Sequence, residues 1–380
     1  MATSSFASDA AIGRIDDLLG SVGMVHGKRK TRKGLAGPRR SEKSFKEWPA
    51  VARRVKRAGL ELVQVPDWIA AGKGSAGEDS AGKDSAGRGG ELGWLRHAFS
   101  TRTGGMSQVY LQEEGADGEL NLSWTKEDDP AMVAENRTRF VRAVMGAKPG
   151  KKAGTLLATL RQIHSGAVHV LRREDVVSGR LANADGRATL RGDGMMTNVP
   201  GLLLGIQTAD CIPVLLADRK GKAVAAFHAG WRGTLARIVE RGVGRMRLEY
   251  GTRPRDILAA IGPGIGPCCY SVGDEVRYEF TSQFAYADEL FSEVYDSDPV
   301  REKYPMLFLT QRAPGHSNLG PQTHLDLWQA NLQQLLDAGV PRRNITVIGE
   351  CTACNPARYF SHRAQRGFTG RMLNVIGVVG

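Results

Sequence analysis

The stretch from Gly205 to Thr234, GIQTADCIPVLLADRKGKAVAAFHAGWRGT, constrains this chain more than any other. Ile212 to Ala217 is an apolar run, Asp218 to Lys222 is polar and holds a glycine, and Ala223 to Phe227 is apolar again. Two short apolar runs around a polar turn predict two buried, neighbouring strands. Paired as a hairpin, they bring Cys211, which opens the first strand, beside His228, which closes the second. A thiolate and an imidazole presented together are either a metal half-site or a nucleophile with its base. After His228, Gly230 and Gly233 allow close backbone approach and Thr234 can cap the helical pattern that follows. Backbone N–H groups and Arg232 would then face the Cys-His pair.

A chain of 380 residues can bury a large core, as one big domain or two smaller ones. No apolar run is long enough to span a bilayer. The N-terminus lacks the basic, apolar and small-residue order of a secretory signal, so a cytoplasmic location is expected. Five cysteines, Cys211, Cys268, Cys269, Cys351 and Cys354, are an odd number in a long chain. That argues for thiol or metal chemistry over a disulfide framework. The net charge of +12 points to nucleic acid until it is located: residues 1–60 hold 14 Lys or Arg against 5 Asp or Glu, so most of the excess sits in the tail. An arm that binds nucleic acid or an acidic surface is one reading of Lys28 to Lys33. A solvated, disordered extension accounts for it more simply and is preferred.

Residues 1–58 are accordingly read as a basic extension, with short helical patterns at Ile12–Leu19 and Phe45–Arg57, and residues 59–380 as one domain. Within that domain, residues 71–90 repeat SAG three times and form a low-complexity insertion between two strands. Periodicity predicts strands at Leu60–Val65, Leu95–Arg102, Leu156–Ile163, Val168–Leu171, Ile257–Ile261, Ile345–Ile348 and Leu373–Val379. It predicts helices at Pro130–Met145, Leu235–Tyr250, Thr323–Ala338 and from Val272 onward, and a flexible loop over 172–192.

Several side chains are candidates for chemistry. In STRTGGMS, Ser100, Arg102 and Ser107 surround two glycines in a turn whose donors could hold an anion, although Gly-Gly turns are usually only turns. His164 ends a strand beside Gly166 and faces a cleft more readily than His169, which is assigned to the core. Adjacent cysteines do not easily share one ion, so Cys268 and Cys269 are read as structural. Cys351-x-x-Cys354 has no second CxxC to complete a zinc ribbon, and Asn355 and Pro356 put it on a loop, so no structural metal is expected there. Arg363, Arg366 and Arg371 could receive phosphate, with a solvated arginine face equally plausible. His164, Cys211 and His228 together leave the fourth tetrahedral position open, the catalytic arrangement of zinc. Asp210, beside Cys211, could orient a ligand or carry a proton.

STRTGGMS with NLS downstream, QIHSG, TADCIPVLL, AAFHAGWRGT, IGPGIGPCCYSVGDEV, HLDLWQANLQQL and CT followed by FSHRAQRGFTGRM occur in this order. From about residue 60 to 380 the chain resembles the laccase-domain purine nucleoside phosphorylase family, also called the peptidoglycan editing factor or multicopper polyphenol oxidoreductase family. The resemblance implies an α+β fold, a layered α/β/β/α sandwich with mixed central sheets similar to the cytotoxic necrotizing factor catalytic fold. It implies that His164, Cys211 and His228 bind zinc, with copper as the alternative ion, and that Arg102 lies in a substrate or phosphate loop. The implied activities are phosphorolysis of adenosine, inosine and S-methyl-5'-thioadenosine, and deamination of adenosine. Asp210, Cys211 and Arg102 would serve catalysis, and Arg102, Arg232, Arg363 and Arg371 would bind substrate or phosphate. The partners are purine nucleosides and phosphate, with no membrane. The chain departs from the family where Ser361 is followed by His362, Arg363 and Ala364 in place of Tyr-Arg-Arg, which leaves the second arginine's task to Arg366 or to none.

Two other enzyme classes compete. A metal-free Cys-His hydrolase or amidase editing peptidoglycan precursors would use Cys211 as nucleophile and His228 as base. A polyphenol oxidase needs a multicopper site, and eight scattered histidines without an HxH pair are too few and badly placed.

Overall fold

Strands that are apolar on both faces need cover on both sides, and the computed structural model provides it by stacking two mixed sheets between helices. It describes residues 48–68, 92–111, 117–146, 155–295 and 321–379, all within one compact unit, Arg40–Gly380. The first sheet has the order β1 (Arg53–Arg57), β2 (Leu60–Gln64), β3 (Leu95–Ser100), β15 (Met372–Val378), β8 (Leu202–Thr208), β5 (Leu156–Thr159). The second has the order β14 (Ile345–Val347), β11 (Ile257–Ile261), β9 (Ile212–Asp218), β10 (Ala223–Ala229), β7 (Gly194–Thr197), β6 (Val168–Val170). A short strand β4 (Thr103–Ser107) follows β3, and β12 (Phe291–Tyr295) pairs with β13 (Pro321–Leu325) as a separate ribbon.

Side-chain alternation assigns the layers. Leu204 and Ile206 of β8 and Ile376 of β15 meet Leu215, Ala217, Val224 and Ala226 of β9 and β10 in a core between the sheets. The opposite face of the first sheet, with Leu62, Ala98 and Val375, packs on Phe140 and Val144 of helix α1 (Pro130–Met145). The opposite face of the second sheet, with Val214, Leu216, Ala225 and Phe227, packs on α4 (Ile238–Tyr250), α5 (Asp274–Gln283) and α6 (Leu327–Asp337). This is the expected α/β/β/α order. Fully burying Phe227 contributes about 2–3 kcal/mol, and the helix above it comes close enough that a Cβ at Gly242 would stand 2.2 Å from the ring. Helix α4 therefore presses directly on the strand that carries His228.

Local chemistry explains where elements start and stop. The Asp129 carboxylate caps α1 by accepting from Ala131 N, and Gly146 closes it in the left-handed region. The expected helix Leu235–Tyr250 is split into α3 (Trp231–Leu235) and α4, because Arg237 adopts φ 56° between them. The helix expected at Thr323–Ala338 begins only at Leu327, where Asp326 caps it, and Pro321–Leu325 is strand β13. Residues 172–192, expected as a loop, include α2 (Arg173–Val177), held by Asp175 accepting from Arg172 N.

The helix expected over Phe45–Arg57 is not formed at Arg53–Arg57, which is strand β1; residues 45–47 lie outside the described residues. Ala58 and Gly59 both take positive φ, the geometry of a tight hairpin turn, and register Arg57 opposite Leu60. Four basic side chains on this strand suit an exposed edge. The boundary drawn at residue 58 thus falls inside a hairpin. The pattern at Ile12–Leu19, the basic run Lys28–Lys33 and the SAG repeats at 71–90 lie outside the described residues. His169, assigned to the core, is only half-buried, with its ring Nε2 2.8 Å from the Arg191 carbonyl. No helix among the described residues is long and apolar enough to cross a membrane.

Candidate metal centre

The hairpin forms in the predicted register. Ala229 pairs with Ile212 and His228 with Pro213, so Cys211, one residue before β9, emerges beside His228. His164 reaches the same point from the turn after β5, where its backbone is left-handed at φ 57°. The ligand atoms of His164, Cys211 and His228 all lie within 4.8 Å of one another. The two imidazoles stand edge to face, their centroids 4.8 Å apart. His228 is buried, Cys211 half-buried and His164 exposed, so the group opens to solvent on one side. Gly230 makes room for the sulfur: a Cβ there would stand 2.8 Å from Cys211 Sγ.

One residue that sequence reasoning passed over organises this geometry. Asp193, fully buried just before β7, lies 2.9 Å from His228 Nδ1 through Oδ1. The same carboxylate accepts from His164 N (3.0 Å), Ser165 N (2.6 Å) and Ser165 Oγ (2.8 Å). It thereby fixes the His164 turn and the His228 ring together, and with Nδ1 occupied it leaves Nε2 of His228 for the shared centre. Burial opposes the Asp193 charge, but the hydrogen bonds from His228 and Ser165 outweigh it and lower its pKa to about 2. Burial likewise opposes charge on Cys211 and His228. Their mutual attraction, with further hydrogen bonds from His164 and Asp193, overrides it, lowering Cys211 to about 6 and raising His228 to about 9. Without an ion, the pair is a thiolate beside an imidazolium.

The donor set fits a soft or borderline divalent ion. Two imidazoles and one thiol converging on one point, with one histidine oriented by a carboxylate, are a donor set and outer support that such an ion can use. Among the described residues this group contains only two histidines, too few for a type 1 and a trinuclear copper centre.

The other predicted site residues divide. Arg102 is not available to phosphate. Its guanidinium is 2% exposed as a residue, ion-paired to Glu119, donates to Pro356 O (2.7 Å) and Tyr110 O (3.2 Å), and lies over the Phe360 ring. It ties the β3–β4 corner to the segment before β15, and the polar turn read as an anion holder is a structural corner. Ser100 and Ser107 are equally committed, Ser100 Oγ accepting from Leu373 N and Ser107 Oγ from Asn136. Asp210 is buried at φ 93°, with Oδ1 accepting from Thr352 Oγ1 (2.7 Å) and Oδ2 from Arg363 N (2.7 Å). Both oxygens brace neighbouring loops, so it positions the turn beside Cys211 and is poorly placed to carry protons. Thr234 does not cap the following helix. Gly230 is the N-cap of α3, and Thr234 is buried inside it, with Asn331 donating to its hydroxyl.

Three arginines remain near the centre. Arg363 is exposed, donates to Ser271 Oγ (2.7 Å) and Ser271 O (3.0 Å), and lies over the Tyr270 ring. Arg232 is exposed and lies over the Trp231 ring. Arg371 is half-buried; burial lowers its pKa, while the Tyr110, Cys211 and Asp210 charges support its protonated form. Tyr270, unnoticed in the sequence, is raised by burial and by the Cys211 charge, and is opposed by Arg363 and Arg232. It therefore lies within electrostatic reach of all these groups. Arg366 sits exposed in a turn at φ 51°.

The fold brings together what the sequence reading kept apart in one further place. Cys268, Cys269, Cys351 and Cys354 converge, with all four sulfurs within 4.8 Å of one another. The chain has no second CxxC, but the adjacent pair Cys268 and Cys269 is brought to the Cys351–Cys354 loop in its place.

Residues 96–379 match the family described as multi-copper polyphenol oxidoreductase laccase. A protein named purine nucleoside phosphorylase YlmD, from Geobacillus stearothermophilus, is 34% identical over 289 residues, which is 75% of this chain and 94% of that protein. A protein named adenosine deaminase RL5, from an unknown prokaryotic organism, is 34% identical over 216 residues, 55% of this chain and 72% of that one. The crystal structure of YlmD from Geobacillus stearothermophilus aligns with a TM-score of 0.63 at 28% identity, covering 87% of this chain and 100% of that chain. With a match running from β3 to the end of β15 and the same fold in a solved relative, the chain belongs to the multi-copper polyphenol oxidoreductase laccase family.

Proposed function

We propose that this chain is a zinc-dependent purine nucleoside phosphorylase acting on adenosine, inosine and S-methyl-5'-thioadenosine, with adenosine deaminase activity. The observation that carries the reading is the convergence of His164, Cys211 and His228 within 4.8 Å, braced by Asp193. A relative named purine nucleoside phosphorylase and one named adenosine deaminase supply the substrate class. When bound by these three side chains, zinc supplies Lewis acidity and a water of lowered pKa. Asp193 holds the His228 ring so that its free nitrogen faces the centre. Arg363, Arg371 and Arg232 are the cations left to hold phosphate or a departing base. Tyr270, whose ring lies under Arg363, is within electrostatic reach of Cys211. Arg102 and Asp210 act by holding loops in place.

The test is zinc quantification together with base release from each of the three nucleosides, with and without phosphate, in the parent chain and in His228→Ala. Loss of the zinc held by His164, Cys211 and His228, together with loss of phosphate-dependent purine release, is expected. A variant that has lost this ion and keeps full activity overturns the assignment.

The series Asp193, His228, Cys211 favours one second reading, since acid, base and nucleophile in that order are the parts of a Cys-His hydrolase. Alkylation separates the two. A hydrolase loses activity on modification of Cys211 in protein that carries no zinc, whereas the phosphorylase is already inactive once zinc is removed.

A further inference from the structure

The four cysteines Cys268, Cys269, Cys351 and Cys354 lie outside the centre just described, and no step assigned there uses them. They come from two loops far apart in sequence. Cys268 and Cys269 follow β11, in the segment Gly262 to Gly273; Cys351 and Cys354 follow β14. Because β11 and β14 run parallel and adjacent, both loops leave the same end of the second sheet. A bridge between Gly264 and Cys351 continues the pairing past the strands, with Thr352 N donating to Gly264 O at 3.0 Å. Cys269 N and Tyr270 N both donate to Gly266 O, a tight turn that keeps Cys268 and Cys269 within one compact loop. The missing Cβ of Gly266 lets this turn approach: one added there would stand 3.2 Å from Cys351 Cβ and 3.0 Å from the Trp328 ring.

We propose that Cys268, Cys269, Cys351 and Cys354 form a second, tetrathiolate metal site that takes zinc as a structural ion. None of the four is in a disulfide. Their sulfurs are spaced for a shared central ion: Cys354 Sγ is 3.4 Å from Cys268 Sγ and 3.3 Å from Cys269 Sγ, and no pair of the four exceeds 4.8 Å. Tetrahedral Zn–S bonds of about 2.3 Å place ligand sulfurs about 3.8 Å apart, inside that range, whereas a disulfide requires contact at about 2 Å. Gly266 N–H points at Cys351 Sγ from 3.2 Å, the backbone donor that a thiolate ligand accepts. Four sulfur ligands without oxygen or nitrogen select zinc over the hard cations. All four positions are filled by protein, so this ion holds structure and offers no open corner for substrate.

What it holds is the rim of the first centre. The loop carrying Cys268 and Cys269 continues into Tyr270 and Ser271, and the loop carrying Cys351 and Cys354 supplies Thr352 and leads to Arg363. Thr352 and Arg363 are the two donors to the Asp210 carboxylate, and Arg363 also binds Ser271. An ion at the four sulfurs pins both loops and so fixes the side chains around Cys211.

The experiment measures metal content of the full chain, purified without chelator, for the parent and for Cys354→Ser and His228→Ala. Cys354 is exposed, so its replacement by serine leaves the core packing intact. The expected contents are about two zinc ions per chain in the parent and about one in each variant. Cobalt exchanged into His228→Ala should give the intense sulfur-to-metal bands of a tetrathiolate, and these should vanish in the double variant with Cys354→Ser. If the reading of the first centre fails, the parent holds one zinc and Cys354→Ser still removes it, which upholds the second site. A metal content unchanged by Cys354→Ser overturns the proposal, as does a non-reduced mass that places these cysteines in disulfides.

Discussion

At the scale of single residues, Asp193 is the group whose change should be most informative. Replacing it by asparagine keeps the shape but removes the charge that faces His228 Nδ1 and the backbone of the His164 turn. Loss of a carboxylate behind a ligating histidine costs about 10–100-fold in metal affinity or activity. Asp193→Asn should therefore weaken zinc retention by that factor in a chelator competition while leaving the Cys268–Cys354 ion bound. A second prediction concerns the metal-stripped protein. Cys211 is a thiolate above about 6, while an ordinary thiol ionises near 9. Its alkylation by iodoacetamide should stay fast down to about pH 6 and fall as the pH drops below that. His228, raised to about 9, keeps its positive charge up to that pH, so the thiolate-imidazolium pair exists between the two values and is lost on either side. A half-maximal rate near pH 8.5 to 9 would show that the pair does not form. Asp193 was hidden in the sequence because a buried aspartate before a strand has no distinctive spacing. Cys211 and His228 were legible because the hairpin that joins them is local.

At the scale of elements, the same contrast holds. The runs at 212–217 and 223–227 are apolar without alternation because each strand is covered by a sheet on one face and helices on the other, and that made the hairpin readable. The split of α3 from α4 depends on one left-handed residue, Arg237, which composition does not announce. The four-cysteine cluster depends on β11 lying beside β14, a pairing between segments some 90 residues apart that no local pattern encodes. The structural role of Arg102 is not legible in the sequence for a related reason: its acceptor Pro356 O lies 254 residues away and its partner Glu119 lies 17 away. An arginine sealed against a buried carboxylate predicts a stability effect. Arg102→Ala leaves Glu119 unpaired, for a cost of roughly 3–5 kcal/mol, or a fall in Tm of about 5–10 °C in a thermal melt. The folded fraction should keep its zinc. Arg363→Ala, at an exposed position over Tyr270, should instead raise the KM for phosphate with little change in Tm. If the two variants exchange these signatures, the assignment of the phosphate contacts is wrong.

At the scale of the whole molecule, the N-terminal boundary decides how far the basic extension can be removed. The sequence alone places it at residue 58. The structure puts β1 in the first sheet and places Trp48 against Trp328 of α6, their rings 6.3 Å apart and near perpendicular. The Trp48 indole donates to Asp326, the residue that caps α6, and Arg54 pairs with Glu350 next to Cys351. A cut after residue 58 therefore exposes β2 as a new edge, releases the α6 cap from one of its partners and loosens the loop that carries Cys351. Removing the Trp48 contact alone costs about 2–3 kcal/mol for a half-buried aromatic, and the lost strand adds to it. A chain starting at residue 47 keeps every one of these contacts and is the reference. A chain starting at residue 59 should melt at least about 5 °C lower and lose zinc first from the four cysteines. Coincident melting curves for the two truncations would mean that these residues only rest on the domain and do not help to hold it.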